Sequence, residues 1–222
     1  MFFHKKIYAI LLILICSSSA QAARNTIGIL VYDGVLTSDI TAPIEVFGAA
    51  TKKAWFSDYK VVLIAVNKQK FITTEEGLRI NVDYSIADNL QLDVLLVPSS
   101  YIMSPLLSNT KLIAFIQDQS KKAQWMASNC SGAFLLAEAG LLNGVKATTW
   151  AGGEKDLKSD YPSVDVQFDQ NVVVDKNIIT SNGSVVSYQA ALILLEKLSS
   201  KDFSKEISEA IQWSRLQNAF KS

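Results

Sequence analysis

Cys130 stands in the run Asn129-Cys130-Ser131-Gly132-Ala133, between an apolar stretch of strand character, Gln124 to Ser128, and a helical stretch from Phe134 to Ala139. A strand that turns straight into a helix makes a tight elbow and lifts the middle side chain above the sheet edge. Gly132 and Ala133 are small enough to let that helix pass close to the strand. A thiol at such a turn meets unpaired backbone N–H groups and the positive end of the helix dipole, so the sequence predicts a thiol shifted toward thiolate. The competing reading is a small buried hydrophobe, the usual fate of an isolated cysteine. Ligands of open α/β sheets sit at the carboxyl ends of strands, where Cys130 falls, and this favours a functional thiol.

The rest of the chain restricts what that thiol can do. Lys5 and Lys6, the apolar run Ile7 to Cys16, and Ala20-Gln21-Ala22 read as a secretory signal peptide over residues 1–22, cleaved after Ala22. Its apolar core is about half of the roughly 20 residues that span a bilayer, so no permanent membrane anchor is expected. Lipidation at Cys16 is disfavoured by Ile15, which stands where a small residue is needed. Cleavage removes His4, the only histidine, and leaves Cys130 as the sole cysteine, with 19 basic against 21 acidic residues. The mature chain, residues 23–222, is therefore expected to be periplasmic or secreted, without an internal disulfide. A charge of about −2 with no basic face gives no reason to expect nucleic acid. One cysteine, no histidine and scattered carboxylates do not build a zinc site, and neither a P-loop nor a dinucleotide glycine fingerprint is present, so no metal and no cofactor are expected. Asn129-Cys130-Ser131 and Asn182-Gly183-Ser184 match the glycosylation sequon in form, the first inside the elbow.

Short Val/Ile/Leu runs alternate with stretches of helical period, the pattern of an α/β domain with helices on both faces of a mostly parallel sheet. Strands are predicted over 26–32, 59–66, 93–97, 124–128, 172–174 and 178–180, with a hairpin of 71–74 and 78–82 turning at Glu75-Glu76-Gly77. Helices are predicted over 39–51, capped by Ser38, and over 109–122, 134–139, 184–198 and 203–213. About 200 residues without repeats or a Pro/Gly/Ser-rich linker make one domain the economical count.

The segment Ser128-Asn129-Cys130-Ser131-Gly132-Ala133-Phe134, with Leu136-Ala137-Glu138-Ala139-Gly140-Leu141-Leu142, resembles the nucleophile elbow of the ThiJ/PfpI superfamily. Ser38-Asp39-Ile40-Thr41-Ala42-Pro43, Ala147-Thr148-Thr149-Trp150, Thr180-Ser181-Asn182-Gly183 and Ile211-Gln212-Trp213 follow that pattern in order, in the style of isonitrile hydratases and the amidotransferase-like halves of AraC-type regulators. The resemblance implies a flavodoxin-like three-layer sandwich and a homodimer. It also implies that Asp39, four residues before Pro43, faces the cysteine, and that Ser131 fills the position of a catalytic hydroxyl. A carboxyl group beside a thiol in a partly dry pocket can carry a proton to or from it. Taken alone, Asp39 is also an ordinary first-turn acid, and Ser131 an ordinary helix cap.

Three positions depart from that pattern. Thr149-Trp150-Ala151 stands where relatives often place His before Trp, and a chain without histidine cannot run Cys–His peptidase or amidotransferase chemistry. Ser99-Ser100 replaces a usual Gly-Gly after Pro98, where a backbone N–H holds developing negative charge; a positive φ there would strain serine. Asn182 replaces a usual alanine and is read as a polar contact or a turn residue. The expectation is a histidine-independent cysteine enzyme resembling isonitrile hydratase, acting on a small carbon–nitrogen or carbonyl compound. Catalysis falls to Cys130, Asp39 and Ser131, and ligand contacts to Ser99, Ser100, Trp150 and Asn182. The alternative is a non-catalytic periplasmic domain that binds a small molecule or senses oxidants through Cys130.

Overall fold

The computed structural model describes residues 24–54 and 58–219; the segment read as a signal peptide lies outside them. The strands β1 (Arg24–Val31), β2 (Asp58–Ala65), β5 (Tyr84–Ser85), β6 (Val94–Val97), β7 (Trp125–Asn129), β10 (Val172–Asp175) and β11 (Ile178–Ser181) form one sheet in the order β10-β11-β7-β6-β1-β2-β5. Only β10 runs antiparallel to its neighbour. Two small ribbons stand apart: the hairpin of β3 (Phe71–Thr73) and β4 (Arg79–Asn81), and the pair β8 (Lys146–Ala147) with β9 (Asp165–Val166).

β1 is buried on both faces: Ile27, Ile29, Leu30 and Val31 are wholly covered. Each such side chain contributes about 1.5–3 kcal/mol relative to exposure, which explains why these strands read as continuous apolar runs rather than alternating ones. Helix α1 (Thr37–Lys53) packs on β2 and, with α6 (Val186–Leu198) and α7 (Lys201–Ala210), makes one layer. The short α2 (Ser104–Leu107), α3 (Thr110–Ser120) and α4 (Gly132–Glu138) pack together against β6 and β7 as the other. Helices α5 (Glu154–Asp160) and α8 (Trp213–Ala219) complete the chain. No helix among the described residues is long and apolar enough to cross a membrane.

Two predicted boundaries move for local reasons. Ser38 does not cap α1, which begins at Thr37 without a cap bond from its own chain neighbour. The Glu76 carboxylate, delivered by the β3–β4 turn, instead accepts from Thr37 N at 2.9 Å and from Thr37 Oγ1 at 2.6 Å. A free helix N-terminus is thus satisfied from a distant turn, which no local signal reveals. The helix predicted over 203–213 is broken into α7 and α8 at Gln212, whose φ of 64° is incompatible with continuing α-helix.

The elbow depends on one missing Cβ. A Cβ at Gly132 would lie 2.1 Å from Val97 O and 2.7 Å from Pro98 O, both backbone atoms that cannot move aside. Gly132→Ala is expected to cost about 3 kcal/mol, through overpacking of α4 against the end of β6. Urea denaturation with circular dichroism would register this as a lowered midpoint.

Candidate active site

Four turns converge where strand order reverses. The chain leaves β1 to α1 on one side of the sheet and returns through β6 to the other, so the carboxyl ends of β1 and β6 flank a crevice, the position where open α/β sheets bind ligands. Asp39 arrives on the first turn of α1, Ser99 and Ser100 follow β6, Cys130 follows β7, and Gly183 and Ser184 follow β11.

Cys130 has φ 50°, a left-handed conformation that costs a residue with a Cβ about 1–2 kcal/mol. Its backbone is held on both sides. Cys130 N donates to Ser181 O at 2.8 Å, and its carbonyl accepts from Thr149 Oγ1 at 2.8 Å. Beneath the turn, Ser181 Oγ donates to Asn129 Oδ1 at 2.6 Å and accepts from Gly183 N at 3.2 Å. Asn129 is buried in this network, so its sequon is a coincidence of spelling. Gly183 makes room: a Cβ there would fall 2.6 Å from Cys130 Cβ and 3.1 Å from Asp39 Oδ1, which makes the thiol and the acid close neighbours.

Asp39 is fully buried, and both its oxygens are used. Oδ2 accepts from Ser99 N at 3.1 Å and from Ser99 Oγ at 2.5 Å; Oδ1 accepts from Ser184 N at 3.0 Å and from Ser187 Oγ at 2.8 Å. Burial nevertheless pushes its pKa above the ordinary carboxylate value, against the lowering effect of those four hydrogen bonds. Tyr32, fully enclosed, donates from its hydroxyl to Pro98 O at 2.6 Å. Its pKa is raised by burial and then by the nearby charges of Asp39 and Cys130. Ser184 reaches Asp39 from a left-handed backbone, φ 54°.

The thiol departs from the expected thiolate. Burial, followed by the negative charge of Asp39, raises the Cys130 pKa above the ordinary thiol value; the nearby polar groups of Ser131 and Ser99 oppose this without overcoming it. The sequence argument counted the helix end and omitted desolvation and the acid next door.

Ser99, Ser100, Cys130, Ser131, Trp150 and Asn182 line one cavity of about 670 Å³, together with the apolar Leu36, Met103, Leu107 and Phe134. Trp150 stacks on Phe134 with ring centroids 5.3 Å apart, forming an aromatic wall. Asp160 lies in the same lining, and no Lys or Arg does. Ser131 makes no helix-capping bond; its hydroxyl donates to Ser100 O at 2.9 Å and accepts from Ser100 N at 3.2 Å, bracing the β6 turn against the elbow. Asn182 Nδ2 ties Thr149 O to Gln170 O, so its amide spans two loops. Neither Ser99 nor Ser100 has positive φ, and the feared strain is absent: Val35 pairs with Ser100, and Leu36 N donates to Ser99 O, holding the turn extended. The N–H of Ser99 is spent on Asp39 and that of Ser100 on Ser131, so neither is aimed free at a ligand oxygen.

A family model described as DJ-1/PfpI family matches residues 25–197. The chain belongs to the DJ-1/PfpI family. An isonitrile hydratase of Pseudomonas putida is 29% identical over 84% of this chain and 78% of its own length. Among solved structures, a ThiJ/PfpI family protein from Pseudomonas syringae superposes with TM-score 0.75 at 22% identity, covering 93% of this chain and 82% of that one. An AraC family transcriptional regulator from Pseudomonas putida gives TM-score 0.72 at 14% identity, over 84% and 99% of the two chains. These two likenesses carry the fold, a mostly parallel sheet flanked by helices, as the residue pattern around Cys130 implied.

Within this DJ-1/PfpI chain, sequence reasoning missed Tyr32, Gly183, Ser184 and Ser187. Gly183 closes the quoted Thr180-Ser181-Asn182-Gly183 segment and Ser184 follows it, so both were within reach. Ser187 and Tyr32 carry no local signal, because what marks them is only their distance from Asp39 and Pro98.

Proposed function

We propose that this protein is a cysteine-dependent hydratase of small, uncharged carbon–nitrogen compounds of the isonitrile type, working without histidine and outside the cytoplasm. One observation carries the reading: a left-handed Cys130 lines a largely apolar cavity directly against the buried carboxyl of Asp39. In an isonitrile, the terminal carbon accepts both a nucleophile and a proton. Asp39 takes the thiol proton as Cys130 Sγ forms the C–S bond, then gives that proton to the same carbon, leaving a thioimidate. Water then adds across the C=N bond, Asp39 passing its proton to nitrogen; the C–S bond breaks as the added hydroxyl's proton returns through Asp39 to sulfur, and an N-substituted formamide leaves. Ser131 and the Ser100 turn it braces stand beside the reacting sulfur to hold the adduct. The absence of Lys and Arg from the lining argues against anionic substrates, and Leu36, Met103, Leu107, Phe134 and Trp150 accept an apolar body. Export rests on the signal-like residues 1–22, and a homodimer on the family alone.

The test is turnover by the chain starting at Ala23 of a panel of isonitriles, aldehydes and amides, with product identified by mass spectrometry. Formamide production from isonitriles, absent in Cys130→Ala, is the expected result. Binding of panel compounds without turnover would replace the hydratase by a ligand-binding domain. That second reading is favoured by the raised thiol pKa and by the spent N–H groups of Ser99 and Ser100.

A further inference from the structure

Trp150 is fastened to the turn that carries the thiol. The residue before it, Thr149, donates from Oγ1 to Cys130 O at 2.8 Å, and Thr149 O accepts from Asn182 Nδ2. The chain then doubles back at once: Gly153 N donates to Trp150 O at 2.9 Å, Gly152 takes φ 94°, and Gly152 N donates at 2.7 Å to the carboxylate of the buried Glu154. The ring is held as firmly as the backbone. A Cβ at Gly153 would lie 2.0 Å from indole Cε2 and 2.3 Å from Cδ2, so the indole occupies the space that any side chain at 153 would need. Its ring stacks on Phe134 at an interplanar angle of 24°, and Phe134 meets Tyr161 edge-on with centroids 5.9 Å apart. Tyr161 is anchored in turn, its hydroxyl donating to Glu138 at 2.7 Å. Rings from three separate segments thus form one file, and two of them, Phe134 and Trp150, line the cavity that holds Cys130.

The cavity is far larger than the group that reacts in it. An isonitrile head is one carbon and one nitrogen, whereas about 670 Å³ is the size of site that encloses a drug-sized ligand. The rest of the space is filled either by the substituent on nitrogen or by water against apolar walls, and removing that apolar surface from water favours the substituent. A compact alkyl group covers little of the wall. An aryl group covers more, and in offset-stacked or edge-on contact with a protein ring it gains attraction beyond the area it buries. Because the indole is already immobile, no side chain has to be ordered when the ligand arrives. Tyr101 adds an exposed ring to the same lining.

We propose that Trp150 is a specificity-determining residue, and that the cavity selects compounds whose nitrogen carries an aryl group over those carrying a compact alkyl group. The assignment deepens the proposed function and rests on its reading of this cavity as the place where Cys130 reacts. Trp150 supplies the contact surface, while Phe134 and Gly153 are positioning residues that fix the plane of its ring.

The experiment is alkylation of Cys130 at alkaline pH, in the chain starting at Ala23, by iodoacetamide, N-ethyl-iodoacetamide and N-phenyl-iodoacetamide. In each, sulfur displaces iodide, so the reagents differ only in what nitrogen carries. Rates over a range of reagent concentration separate the half-saturating concentration from the maximal rate, and glutathione gives the intrinsic ratio of the reagents. The proteins are wild type, Trp150→Ala, Trp150→Leu and Trp150→Phe, each checked for folding by thermal denaturation; the Leu variant keeps apolar bulk without a ring. Wild type is expected to prefer the phenyl over the ethyl reagent by about tenfold beyond the glutathione ratio, through the half-saturating concentration and not the maximal rate. Trp150→Phe should keep most of that preference, and the Ala and Leu variants should lose it while reacting with iodoacetamide itself as wild type does. A wild type without the preference, or a preference unchanged in a folded Ala or Leu variant, would overturn the assignment. So would a loss shared equally by all three reagents, which would mean that Trp150 only supports the elbow. No modification of folded wild type by any reagent would remove the assignment and the proposed function together. Otherwise the two fail separately: a Trp150-dependent phenyl preference without turnover of any isonitrile sinks the reaction alone, and turnover without the preference sinks the selectivity alone.

Discussion

Cys130→Ala and Cys130→Gly are both expected to lose all detectable turnover of any substrate the wild type converts, yet to fold as well as the parent or better. The loss follows from removing the only thiol among the described residues, for which no neighbouring nucleophile can substitute. Stability is the more telling half. Cys130 holds φ 50°, and its Cβ presses toward Gly183, where a further carbon would come within 2.6 Å. Glycine relieves the left-handed strain of about 1–2 kcal/mol while adding about 0.5–1 kcal/mol of unfolded-chain entropy, so Cys130→Gly should be unchanged to about 1.5 kcal/mol more stable. Parallel urea melts of wild type and the two variants give the check. A marked destabilisation of Cys130→Gly would mean that the sulfur is structural packing and that the strained turn is not maintained for function.

Asp39→Ala is expected to be damaging in both respects. Two backbone N–H groups, of Ser99 and Ser184, and two hydroxyls, of Ser99 and Ser187, lose their acceptor inside the protein. Stranded buried donors cost enough that a net loss of about 2–4 kcal/mol is anticipated, even after relief from burying a charge. Turnover should fall by about a hundred- to ten-thousand-fold, the range for deleting a positioned acid–base group. Asp39→Asn separates charge from shape and supplies the pH test. The folded protein binds the Asp39 proton more tightly than the unfolded chain does, so this group's contribution is greatest below the carboxyl's ordinary pKa of 3.8. That contribution is lost as pH rises from there through the raised folded value. Wild type minus Asp39→Asn, by denaturation across mildly acidic pH, should therefore show stability declining as pH rises, the opposite of an acid stabilised by a salt bridge. With the charge gone, the thiol's own high-pH titration should also move down, since Asp39 is one of the two causes holding it up. A difference curve rising with pH would show that the hydrogen bonds outweigh burial.

The agreement between sequence and structure is uneven in an instructive way. The buried parallel strands, the hairpin of β3 and β4 and the long helices were legible because each satisfies its own backbone and displays its own period. The two-residue strands β5, β8 and β9 were not, since each exists only through pairing with a distant partner. Glu76 shows the same limit at a helix end: it stands 39 positions from the N–H it satisfies. At the site, the structure places Cys130 and Asp39 near each other as the resemblance implied, whereas the thiol's protonation was misjudged from local cues. Desolvation is a property of everything packed around a group, and the sequence around Cys130 does not display it.

The linear order of residues determined, by itself, the α/β class, the elbow and the lack of any histidine beyond His4, because these depend on local period, on a short motif and on composition. Only the tertiary structure decided what Ser99 does. From sequence it was a serine standing where a glycine is usual; in the fold, its N–H and its hydroxyl both bond the Asp39 carboxylate, which arrives on the first turn of α1. That assignment needs two turns far apart in the chain to meet within hydrogen-bonding distance, and such a meeting is set by the packing of the sheet rather than by any run of neighbouring residues.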